Sequence, residues 1–135
     1  MFAGSNMRMS RSHPPIIRAL VAILIAFLLP AAAHAVVWGL GDRPRSWREA
    51  DWSSSGQLPP AQARADAAIL IYAARTGGWK GAFAVHSWIV LKDAGGAPYR
   101  RYDVVGWGTP VRRDAHAPDA RWYGNEPVLV ARLEG

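Results

Sequence analysis

His86 and Asp103 are the pair of residues whose types and places in the chain could combine for acid–base chemistry. A neutral imidazole can take a proton from a nucleophile when it lies within hydrogen-bond reach and a third group orients its ring. His86 sits in the run Phe83–Lys92, and Asp103 is the candidate orienter from the following run. That role depends on register, because a slip of one residue turns Asp103 to the wrong face. The competing role for His86 is that of a satisfied core histidine in an apolar strand. A nucleophile is harder to find: the 135 residues include no cysteine, which also excludes disulfides and thiolate metal sites. Ser87 falls on the opposite face from His86 by strand alternation.

A second group is aromatic, made of Trp107, Arg121, Trp122, Tyr123 and Asn125. Rings flanked by hydrogen-bonding groups can stack a sugar ring or a lipid headgroup; the same residues could equally form a structural corner. His116, among Arg112, Arg113 and Asp119, reads as a solvated residue, and no second ligand stands at a spacing suited to zinc. Gly106-Trp107-Gly108 is followed by neither the lysine nor the helix start that a phosphate loop requires. Its glycines fit a strand end or bulge. No metal and no cofactor is expected.

The elements that must position these residues read as strands. Phe83–Lys92 has two mostly apolar faces, as a central strand does. Asp93–Pro98 is turn material, and Tyr99–Trp107 resumes β-favouring residues, which predicts an antiparallel hairpin. Ala67–Ala74 is a short apolar run closed by Arg75-Thr-Gly-Gly78 and reads as a buried strand, with a helix as the alternative. Gly108–Asn125 shows no period, and such long connections are usually functional or disordered. Pro127–Leu133 is a further strand, and the sequence stops two residues later. The fold class is therefore α+β: a hydrophobic N-terminal helix, then a small, mostly antiparallel sheet over 67–135.

Ahead of the sheet, residues 1–40 form an arginine-fronted apolar leader, basic at Arg8, Arg11 and Arg18 and apolar from Ala19 to Ala33. A secretory signal with a small-x-small exit at Ala33-His34-Ala35 satisfies the pattern. So does a spanning anchor, if the run continues through Val36 to Leu40 with Trp38 in the aromatic belt. Residues 41–66, rich in Gly, Ser, Pro and charge, read as a linker. In both cases the membrane is the expected partner of residues 16–40, and the C-terminal domain lies outside the cytoplasm, at the inner membrane or in the periplasm. The formal charge of +6 falls to +3 once the three leader arginines are set aside. So small an excess, without a clustered basic face, argues against a nucleic-acid partner.

The motifs His86-Ser-Trp-Ile-Val-Leu-Lys92, Tyr102-Asp-Val-Val-Gly-Trp-Gly108 and Pro118-Asp-Ala-Arg-Trp-Tyr-Gly-Asn-Glu-Pro127, in that order, resemble the bacterial family Domain of Unknown Function 3750. The resemblance covers 67–135. It implies a hydrophobic first segment and a further half holding a Gly-Pro-Asn-Ser-Asn-Thr-Phe-like stretch, so the domain is expected to be truncated at its C-terminus. It implies no established activity. A more distant similarity, to circularly permuted papain-like hydrolases and acyltransferases, rests on a histidine near the start of a central strand, the place His86 takes. The expected function is binding or scaffolding in the cell envelope, with a glycan, lipid headgroup or envelope protein at the aromatic residues. The alternative is a papain-like hydrolase or acyltransferase acting on peptidoglycan or lipid, with His86 as base and the nucleophile outside this chain.

Overall fold

A computed structural model describes residues 14–135. The chain divides into two compact units, one through His34 and the other from Ala35 to Gly135.

Helix α1 spans Pro15–Leu40. Proline is favoured at a first helical position because the amide it lacks would be unpaired there anyway. Helix α1 runs on through Pro30 and His34 without a break, and none of its residues is buried. Its 26 residues extend about 39 Å at the standard rise. This helix is long and apolar enough to cross a membrane, a property that a secretory signal shares. Its last turn closes at Gly41, whose amide donates to the Trp38 carbonyl at 3.3 Å.

The second unit is built on a five-stranded, wholly antiparallel sheet in the order β4-β3-β2-β1-β5. The strands are β1 Ala68–Arg75, β2 Val85–Lys92, β3 Arg100–Val104, β4 Val111–Arg113 and β5 Val128–Glu134. The run that could have been strand or helix is therefore the strand β1, and β2 holds the central place expected of it. The predicted hairpin is β2–β3, with β3 starting at Arg100, one residue beyond Tyr99. β4 lies inside the stretch that showed no period, and β5 crosses to the far edge to pair with β1.

Alternation sends Ala68, Leu70, Tyr72 and Ala74 of β1 and Trp88 and Val90 of β2 to one face, where they are buried. Trp122 and Val105 join that core, and Trp52, Leu58, Tyr99 and Tyr123 pack against it from the covering loops. The other face carries Ile69, Val85, Ile89 and Leu91 exposed. Burial of β2 on both faces is therefore not what is found among the described residues; the core is one-sided.

Residues 41–66, expected to be a connector, form part of that cover. Asp119, itself buried, accepts from the Ser54 hydroxyl at 2.6 Å and from the Leu58 amide at 3.1 Å. Ser54 also bridges Ala120 as a fragment of antiparallel ladder. The sequence shows no period here because the segment is held by polar contacts to residues more than sixty positions away, which no local pattern encodes.

Candidate functional site

His86 and Asp103 do meet. The register pairs Trp88 with Asp103 across β2 and β3; His86, two residues before Trp88, shares its face. The His86 Nε2 to Asp103 Oδ1 distance is 2.7 Å. Asp103 is also clasped by Arg101, its neighbour on the same face of β3, with Nε to Oδ2 and Nη2 to Oδ1 both at 2.8 Å. Arg101 has no exposed surface. It donates in addition to the Ala117 carbonyl at 3.0 Å and lies 3.9 Å over the Trp88 ring. Burial pushes the Asp103 carboxyl up, but hydrogen bonds from His86 and Arg101 and the Arg101 charge outweigh it, so the group stays below the ordinary carboxylate range. An ionised carboxylate only accepts hydrogen bonds. His86 must therefore carry its proton on Nε2 when neutral, leaving Nδ1 as the basic nitrogen. The ring stacks on Trp122 with centroids 3.7 Å apart.

Chemically, this is an imidazole oriented by a carboxylate. It is also a buried ion network that closes on itself through Arg101. Ser87 projects from the opposite face by alternation. Among the described residues there is no group of three or more His, Asp or Glu that could hold a metal ion.

Beside this network lies an open cleft of about 520 Å³ lined by Trp47, Trp52, Trp107, Arg112, His116, Trp122 and Tyr123. Trp107 reaches it from the tip of the β3–β4 turn, where Val105 donates its amide to the Pro110 carbonyl at 2.8 Å and Gly108 takes a φ of 66°. Arg112 holds that tip by donating to the Trp107 carbonyl at 3.2 Å. Trp122 and Tyr123 are set by a tight turn in which Trp122 and Asn125 exchange backbone hydrogen bonds at 3.0 and 3.1 Å. Tyr123 and Gly124 at its centre both have positive φ, 53° and 76°, the signature of a type I′ turn. A non-glycine residue held there marks a conformation that the surroundings enforce. His116 stacks on Trp52 at 4.7 Å. It is therefore a wall residue and not the solvated one expected. Burial first, then the Arg101 and Arg112 charges, lower its pKa, with Asp103 opposing.

Of the residues anticipated as ligand-binding, Trp107, Trp122 and Tyr123 line this cleft, whereas Arg121 and Asn125 do not. Their polar groups serve the fold. Arg121 donates to Glu126 at 2.7 Å and to the Ser54 carbonyl at 2.9 Å. Asn125 Nδ2 donates to the Arg75 and Trp122 carbonyls at 3.0 and 3.1 Å, while its Oδ1 accepts from Arg43 at 3.2 Å. Trp47, Trp52, Arg112 and His116 were not singled out as ligand residues. The one sequence signal for Trp47 and Trp52 was the number of tryptophans, seven in the chain; Arg112 and His116 had none.

An apolar N-terminal helix of membrane-spanning length and a five-stranded antiparallel sheet covered on one face by loops define a small α+β protein with an aromatic cleft. The chain belongs to the family described as protein of unknown function (DUF3750), whose model matches residues 66–135. No curated protein and no solved structure matches it.

Proposed function

We propose that this protein is a ligand-binding domain held at the cell envelope by its N-terminal helix, and that its ligand is a glycan seated in the aromatic cleft. The cleft carries the reading. Small-molecule sites are typically concave, about 300–1,000 Å³, and lined by aromatic side chains with a few placed polar groups. Here the polar groups are the Arg112 guanidinium and the His116 imidazole. Trp122 adds a buried indole N–H with no hydrogen-bond partner among the described residues. Buried donors are rarely left so.

The test is equilibrium binding of disaccharide-peptide fragments of peptidoglycan to the full chain and to Trp107→Ala. Trp107 is 58% exposed, so the substitution should leave the melt unchanged while weakening binding about tenfold or more, the scale set by loss of one stacked aromatic, about 1–3 kcal/mol. Equal binding by a folded Trp107→Ala, or no binding by the parent, would refute the reading.

A second reading is favoured by the 2.7 Å contact between His86 and Asp103. In it the cleft binds the substrate of a hydrolase or acyltransferase, His86 Nδ1 is the base, and the nucleophile comes from outside this chain. It differs from the first in requiring turnover of a peptidoglycan fragment or acyl lipid that His86→Gln abolishes in a protein that still folds.

A further inference from the structure

We propose that the 3₁₀ turn Gly78–Ala82 is a second membrane contact, inserting Trp79 among the lipid headgroups on the side of the bilayer where the sheet unit lies. The proposal rests on the membrane-bound part of the functional reading, not on the cleft. A helix needs about 20 apolar residues to cross the hydrocarbon core; counted from the arginine at position 18, that run ends at Trp38. Tryptophan favours this depth, where its ring is shielded and its N–H finds a polar partner. Within the second unit, Trp38 Nε1 donates to the Gly78 carbonyl at 3.0 Å. The contact is tight, because a β-carbon on Gly81 would collide with the Trp38 ring. Arg43 fixes the indole further, its guanidinium 3.1 Å above the ring and its Nε donating to the Trp38 carbonyl at 2.9 Å. The turn therefore stands at whatever depth Trp38 does.

What the turn presents there fits a headgroup layer. Trp79 is 75% exposed, more than its bulk would suggest unless something covers it. Lys80 follows it in the turn, and with Arg45, Trp47 and Trp79 lines a shallow groove of about 340 Å³. Neither Lys80 nor Arg45 has an ion-pair partner among the described residues. An ammonium and a guanidinium near the exposed Trp79 indole can pair with lipid phosphate while that ring lies at the acyl boundary.

The absence of native cysteine makes a depth measurement direct. The full chain is reconstituted in vesicles of phosphatidylethanolamine and phosphatidylglycerol as Trp79→Cys, Leu28→Cys or Ala94→Cys, each carrying a polarity-sensitive fluorophore. Nitroxides on the headgroups should remove most of the emission at 79 and little at 94, in the exposed β2–β3 turn; nitroxides deep in the acyl chains should quench the label at 28. Quenching at 28 with 79 no more quenched than 94 would overturn the interfacial turn and leave the anchor standing. No quenching at 28 would overturn both.

Discussion

At the scale of single residues, the His86–Asp103–Arg101 network makes an ordered prediction about stability. Asp103→Asn removes the countercharge of an arginine that has no exposed surface, and breaking such a buried pair costs about 3–5 kcal/mol. His86→Gln leaves the Asp103–Arg101 clasp in place and should cost about 1–3 kcal/mol, the penalty for a buried acceptor left poorly paired. Urea melts that reversed this order would show that Arg101 is not the group Asp103 chiefly serves. His116 and Asp103 also make stability fall in acid. The His116 pKa is lowered below the ordinary 6.5, so the unfolded chain takes up that proton first. Its contribution is complete above pH 6.5 and declines as pH falls through the folded value. Asp103, lowered below 3.8, has a contribution that is complete above pH 3.8 and lost as pH falls through its own folded value. Melting temperature should therefore decline on acidification from neutrality, and His116→Gln should flatten the upper part of that decline. An unchanged upper part would contradict the burial described for His116. The pairing of His86 with Asp103 was legible because both lie on β-favouring runs and depended only on register. Arg101 was not, since arginine is almost never fully buried.

Among the elements, the informative case is the segment before β1. Its Ser, Gly and Pro content suggested a tether, yet Ser54, Leu58 and Trp52 are drawn onto the sheet through Asp119 and the core indoles. Asp119→Ala should release it. The Leu58 amide and Ser54 hydroxyl would lose their acceptor, at a cost of about 1–3 kcal/mol, and limited proteolysis should then cut between residues 41 and 60 well before it cuts the sheet. Equal cleavage rates in parent and variant would show that Asp119 does not hold the segment. The strands were easier to read: β1, β2, β3 and β5 are long enough for composition and flanking turns to declare them. β4, Val111–Arg113, is too short to show alternation, and its pairing to Tyr102–Val104 is a tertiary fact. The Trp122–Asn125 turn escaped for another reason. Its type I′ geometry puts Tyr123 at a φ of 53°, a conformation its side chain does not advertise.

For the whole molecule, a one-sided sheet leaves two surfaces with different demands. The loop-covered face holds the core and the aromatic cleft; the other carries Ile69, Val85, Ile89 and Leu91 in the open. The fold class and the apolar helix could be read from periodicity and length, because both are local patterns. The cleft could not, since Trp47 and Trp52 precede β1 while Trp107 and Trp122 follow β2 and β3, and only the folded sheet brings them together. The seven tryptophans make that convergence measurable as indole N–H resonances of the full chain in micelles. Titration with a disaccharide-peptide fragment of peptidoglycan should shift the signals of Trp47, Trp52, Trp107 and Trp122. It should leave Trp88, bonded to the Pro118 carbonyl in the core, and Trp38, bonded to the Gly78 carbonyl, where they are. No shift at any of the four cleft indoles, or shifts confined to Trp38 and Trp79, would contradict a glycan site in this cleft.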